Sequence, residues 1–205
     1  MLDLIVLAAD GDIEITLRTL LEKRSASLGI RPLRFDKYQA DSIRYPLHDA
    51  GVLTNSPQIL RPYLKQARHA LVVLDRAGSG READPPERIE QDIETRLIQT
   101  GWDAHRIAAV VLDPELELWV WSGSPHVRDV LNLNEQQMND VYRRFAPGPD
   151  GKPRPPKEAM LYALSLGGRP HSARIFAELA ERVSLKTGER AFSRLRERLQ
   201  HWFAL

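Results

Sequence analysis

The stretch "HALVVLDRAGSGRE" (residues 69–82) decides how the rest of the chain is read. Val72, Val73 and Leu74 form a continuous apolar run, the mark of a strand buried on both faces. Asp75 falls where that strand emerges at its carboxyl end, and a glycine-rich turn follows it. In an open α/β sheet of parallel strands, ligands bind at that edge.

Working outward, "LDLIVLAAD" (2–10) and "RIAAVVLD" (106–113) carry the same buried-strand pattern, and "PLRFDKYQA" (32–40) alternates as a half-buried strand. "IEITLRTLLEKRSASLG" (13–29) places Leu17, Leu20, Leu21 and Leu28 at helical spacing before a glycine stop. The residues after 40 and up to about 55 read mostly as loop. "SPQILRPYLKQA" (56–67) reads as a helix with Ser56 as N-cap, Pro57 at its first position and a kink at Pro62. "PPERIEQDIETRLIQTG" (85–101) repeats Ile89, Ile93 and Leu97 every fourth residue and stops at Gly101. The order β-α-β-α-β-α-β predicts an α/β domain with a mainly parallel, four-stranded sheet flanked by helices.

After Trp121 every apolar pattern favours helix, in "HVRDVLN", "EQQMNDVYRRF", "KEAMLYALSLG", "SARIFAELAERVS" and "RAFSRLRERLQHWFAL". The expected organisation is an α/β domain over residues 1–123 and an α-helical C-terminal region over 124–205. Within the latter, a proline-rich segment (146–156) is read as a long, mobile connecting loop.

With 205 residues, 42% hydrophobic and 28% charged, the chain is composed like an ordinary globular protein. The absence of cysteine excludes disulfides and thiolate metal sites. The first apolar run is too short for a signal segment or a membrane span, so the expected location is the cytoplasm, with no membrane partner. The net charge of +1 hides an asymmetry: carboxylates prevail up to residue 123 and basic groups after it. That is compatible with an acidic metal-binding edge beside a surface that meets polyanions, or with two ordinary solvated surfaces.

The acids fall at telling places. Asp10 ends the first strand, Gly11 allows a tight turn, and Glu14 lies in the first turn of the next helix. Asp75 and Asp113 end two further strands, so a parallel sheet brings Asp10, Asp75 and Asp113 to one edge. In "PELELW", Glu115 and Glu117 open the following helix. Clustered carboxylates of this kind suit a hard cation such as Mg²⁺ or Mn²⁺, which supports phosphodiester chemistry. The competing reading makes Asp10 and Asp113 helix caps, Glu14 a dipole partner and Glu115 a solvated side chain, and for Asp113 and Glu115 it is the preferred one.

Other signatures are missing. "GSGRE" lacks the lysine-serine/threonine ending of a P-loop, and "AGSG" has no dinucleotide-binding spacing. The six histidines show no zinc-ligand spacing, and Ser79 sits in the wrong register for a nucleophile elbow. On the last helix, Arg190, Arg194 and Arg198 recur every fourth residue as a basic stripe. With Lys152 and Arg154 from the proline-rich segment and Lys157 just after it, that stripe is a candidate nucleic-acid surface, its alternative being a solvated face. Trp119 and Trp121 read as core, with base stacking as the alternative.

The set "ADGDIE", "ALVVLDRAGSG" and "DPELELWVWS" resembles the TOPRIM-like (Rossmann-like) domain of bacterial defence-island proteins. Over its whole length, including "SPHVRDVL", "RPPKEAM" and "LRERLQHWF", the chain resembles the small fourth subunit of prokaryotic methylation-associated anti-phage defence systems. The resemblance implies partner subunits of such a system, DNA as a further partner, and a nuclease-like activity in which a glutamate after the first strand and a DxD pair after the third hold magnesium. Carried over, the glutamate position falls on Asp10 and the first aspartate on Asp75; Ala77 stands in place of the second. Glu14, Glu82 and Glu117 are candidates to complete the set, giving Asp10, Glu14, Asp75 and Glu117 as expected metal ligands, with Asp10, Asp75 and Glu117 catalytic. Two functions stay open: a Mg²⁺- or Mn²⁺-dependent nuclease-like effector, or a non-catalytic TOPRIM-like module that binds DNA or partner subunits. A receiver domain is a third reading, against which the last strand ends in "VVLDPE" without the lysine such domains need.

Overall fold

A computed structural model describes residues 1–46, 48–185 and 188–205. Its centre is a four-stranded sheet of β1 (Leu2–Ala8), β2 (Ala40–Arg44), β3 (Ala67–Asp75) and β4 (Ile107–Leu112). All neighbours are parallel and the spatial order is β2-β1-β3-β4, so β1 and β3 lie at the centre. Those two strands and β4 are the continuous apolar runs of the sequence, and Leu4–Ala8, Ala70–Leu74 and Ile107–Leu112 are at most 1% exposed. Parallel strands need crossovers over both faces, which is why the runs do not alternate.

The crossovers are α1 (Gly11–Lys23) with the short α2 (Ser25–Leu28), α3 (His48–Leu60) and α4 (Pro86–Gln99). Then follow α5 (Glu117–Val120), α6 (Pro125–Leu131), α7 (Glu135–Arg144), α8 (Pro156–Leu166), α9 (Ala173–Arg182) and α10 (Arg190–Phe203). The later helices pack onto the sheet layer, α9 against α1 and α10 against β4. One continuous apolar cluster runs from Leu4 to Phe203.

Two sequence expectations are corrected here. The strand expected over 32–40 is irregular chain, and β2 begins where it was to end. The alternation has a local cause: Leu33 is buried and its N–H donates to Leu21 O, while the N–H of Phe35 donates to Glu22 Oε1. Asp36 then closes a turn by accepting from the N–H groups of Tyr38 and Gln39.

The second correction concerns residues 48–55, which are helix rather than loop: α3 runs over 48–60 with Pro57 inside rather than at the first position, and in place of a kinked continuation to 67 a short 3-10 turn over 61–65 contains Pro62 and leads into β3. Ser56 therefore caps nothing, and its buried hydroxyl has no hydrogen-bond partner. A proline within a helix leaves the carbonyl four residues earlier without its donor. Here the Arg96 guanidinium of α4 donates to that carbonyl, Leu53 O, and also to Thr54 O at 3.3 Å. The helix survives its proline because a neighbouring helix supplies the missing N–H.

The basic stripe of the last helix is built into the sheet. β4 is an edge strand, and its outward backbone groups at Ala109 and Val111 are satisfied by side chains. Ala109 N–H donates to Glu94 Oε1 and Val111 N–H to Glu90 Oε1, each at 2.9 Å. Arg194 donates to Ala109 O at 2.8 Å and Arg190 to Val111 O at 2.9 Å. The same guanidiniums pair with the carboxylates, Arg190 in bidentate fashion on Glu90 and Arg194 at 2.7 Å from Glu94. The i, i+4 spacing of Glu90 and Glu94 on α4, and of Arg190 and Arg194 on α10, matches alternate residues of the strand. An open sheet edge invites pairing with another chain, and this ladder closes it.

The proline-rich segment is folded as well. Pro147 bridges to Pro153, and Gly148 N–H donates to Lys152 O at 2.9 Å across a turn at Gly151. Lys152 is only 8% exposed, its ammonium on Leu118 O and Glu189 Oε1. The segment is a hairpin-like turn, tied down by Lys152, that delivers Lys157 to the carboxyl edge of the sheet.

Candidate metal centre

At the end of β3, Asp75 is 5% exposed. Its N–H donates to Asp49 Oδ1 of α3 at 2.7 Å, and its own Oδ1 accepts from Leu116 N–H at 3.0 Å. The segment after β4 turns back over this point and buries Glu115 and Glu117 beside it. Ligand oxygens of Asp75, Glu115 and Glu117 lie within 4.8 Å of one another.

Such crowding has an electrostatic signature. Burial lifts the Asp75 carboxyl well above its ordinary value, and the charges of Asp49, Glu117, Asp10 and Glu115 push the same way. Burial also carries Glu117 from 4.5 to about 7, against the opposing pull of its own backbone N–H and of Lys157. Glu115 and Asp49 are raised for the same first cause, each partly offset by a backbone donor: Lys157 N–H at 3.0 Å for Glu115, and Asp75 N–H for Asp49. Lys157 is the local cation. Burial works to lower it, and the carboxylates of Glu117, Asp75, Glu115 and Asp10 outweigh that and raise it.

The expected ligands divide. Asp75 and Glu117 come together, and the third carboxylate is Glu115. Glu115 is therefore not a solvated side chain but a buried one, 8% exposed. Asp10 is near enough to act on Asp75 and Glu117 through its charge, but its Oδ1 caps α1, accepting from Asp12 N–H at 2.9 Å and Ile13 N–H at 2.8 Å. Glu14 turns toward β2 and accepts from the Ser42 hydroxyl at 2.6 Å. Asp113 leaves the cluster for an ion pair with Arg76 at 3.0 Å. Asp49 had no sequence signal, because it lies in the stretch read as loop.

The expected nucleic-acid residues also divide. Arg190 and Arg194 are engaged at the β4 edge, Lys152 is buried, and Arg154 pairs with Asp150 at 2.8 Å. Arg198 is half-buried on α10, and Lys157 alone of the six faces the acids. Trp121 is 1% exposed and donates from Nε1 to Pro156 O at 3.0 Å, and Trp119 packs edge-on against Phe192 at 5.1 Å. Both are core.

The donor set fits a hard divalent cation. It is all carboxylate oxygen, and ligands on opposite sides of such an ion at ~2.1–2.5 Å stand ~4–5 Å apart. A cation would offset the repulsion that now raises these carboxyls. No family model, no curated protein and no solved structure matches the chain.

Proposed function

We propose that the chain is a Mg²⁺- or Mn²⁺-dependent, nuclease-like effector of a prokaryotic phage-defence system, with a TOPRIM-like sheet as its scaffold. The observation that carries the catalytic part is the buried triad Asp75, Glu115 and Glu117 at the carboxyl edge of the sheet. The defence setting, the partner subunits and DNA as a partner come from the resemblance of the sequence.

In this reading Asp75, Glu115 and Glu117 hold the cation and Asp49 fixes Asp75 through its backbone N–H. A divalent ion bound there would polarise a phosphodiester and stabilise charge developing on it. Lys157 stands at the rim as a cation for a non-bridging phosphate oxygen, held protonated by the same acids. Because binding needs ionised carboxylates, affinity for the ion rises with pH up to and past the Glu117 value of about 7.

A second reading, a non-catalytic TOPRIM-like module that binds DNA or partner subunits, is favoured by Asp10 and Ala77. Asp10 uses an oxygen on its helix cap, and Ala77 brings no carboxylate. The experiment compares cleavage of DNA and RNA oligonucleotides with Mn²⁺ by the wild type, Asp75→Asn and Lys157→Met, alongside protection of cells from phage. The enzyme reading expects cleavage and protection to be lost together in Asp75→Asn. Protection that survives Asp75→Asn in a folded protein contradicts it and supports the module.

A further inference from the structure

The turn after Asp75 already holds an anion, and the anion belongs to the chain. The N–H groups of Gly78 and Gly80 both donate to one oxygen, Glu82 Oε1, at 2.9 and 3.1 Å. Both glycines have a left-handed backbone, φ 82° and 78°, which turns their N–H groups toward a common point. The turn is fixed from behind. Arg76 N–H donates to Leu112 O at 2.8 Å, Ala77 N–H to Pro114 O at 3.0 Å, and the buried Ser79 hydroxyl to Arg76 O at 2.7 Å. Arg81 is held away from the concavity by Asp84 and Asp92. Glu82 itself is exposed, and so are Gly78 and Gly80.

We propose that the 76–82 turn is a phosphate-binding nest at the carboxyl edge of the sheet, and that Glu82 is its tethered, displaceable occupant. A pair of convergent N–H groups on a rigid turn recognises an oxyanion through hydrogen bonds, and phosphate presents the same kind of oxygen as a carboxylate. The Arg76 side chain lies close enough to Glu82 to favour its negative charge, and would do the same for a phosphate. Gly78 also adjoins the acidic centre, since a Cβ there would lie 3.6 Å from Asp49 Oδ2. The nest thus borders Asp49, whose other oxygen holds the Asp75 N–H, while phosphate binding there needs no cation.

A carboxylate two and four residues from the amides it occupies competes at a millimolar or higher effective concentration, so its removal tightens phosphate binding roughly tenfold. The test titrates inorganic phosphate into the ¹⁵N-labelled full chain in EDTA, following the Gly78 and Gly80 amide resonances in wild type, Glu82→Ala and Glu82→Gln. The expected result is saturable movement of both amides, about tenfold tighter in Glu82→Ala than in wild type and intermediate in Glu82→Gln. Amides of Gly78 and Gly80 that ignore phosphate in both variants overturn the proposal. EDTA makes this outcome independent of whether the triad binds metal. Repeating the titration with a dinucleotide, with and without a 5′-phosphate, tells a terminal phosphate from an internal diester as the natural source.

Discussion

Replacing Glu117 by glutamine is expected to stabilise the metal-free protein at alkaline pH while removing a ligand. Glu117 is 4% exposed, and burial carries its carboxyl from 4.5 to about 7. At ~1.4 kcal/mol per pH unit, that climb amounts to ~3 kcal/mol spent on ionising the group inside the fold. The sign follows from linkage. An acid whose folded value is raised gives its full stability when protonated, below about 4.5, and loses it as pH rises through about 7. Glutamine keeps the shape and never ionises, so at about pH 8 the variant gains up to ~3 kcal/mol, or ~6–12 °C in Tm for a chain of this size. The gain fades on acidification and is gone at about pH 4. Thermal and urea unfolding in EDTA at both pH values measure it. Mn²⁺ at a thousand times its Kd reverses the order, because only the wild type keeps the whole triad and gains ~4 kcal/mol. A Glu117→Gln protein that is no more stable than wild type at about pH 8 refutes the electrostatic account of the site.

Two further outcomes concern the scaffold. Glu90→Ala strips a 1%-exposed carboxylate from Arg190, Arg194 and Val111 N–H, and is expected to cost about 3 kcal/mol in urea unfolding. It also opens the β4 edge, so light scattering should show self-association; a monomer of unchanged stability contradicts the edge-sealing role. Gly167→Ala would place a Cβ 1.9 Å from Leu131 O where α8 meets α6, a backbone clash expected to cost ~2 kcal/mol or more. A neutral effect on Tm would show that these helices sit farther apart than described.

What the sequence discloses tracks how strongly each residue is buried. β1, β3 and β4 were legible because strands covered on both faces need uninterrupted apolar runs. β2 was not, because "ADSIR" is an edge strand with polar residues, while the neighbouring alternation came from Leu33 and Phe35 packing in irregular chain. α3 was hidden by Pro57, whose cost is met by Arg96, a residue 39 positions away that no local pattern links to it. The site divides the same way. Asp75 and Glu117 were legible from strand ends and motif position, whereas Glu115 reads as an ordinary exposed acid until the segment after β4 folds back. Asp49 depends on the helix that was missed. The arginine stripe on α10 was visible, but its partners are Glu90 and Glu94, a hundred residues earlier. Periodicity locates a face; it does not say what covers it.

The most direct test of the central claim is calorimetric titration of the purified protein with Mn²⁺ at about pH 8, with Asp75→Asn as control. The account predicts saturable binding in the wild type that weakens as pH falls through about 7 and disappears in the variant. Equal heats for the two proteins, or no saturable binding by the wild type, would contradict it.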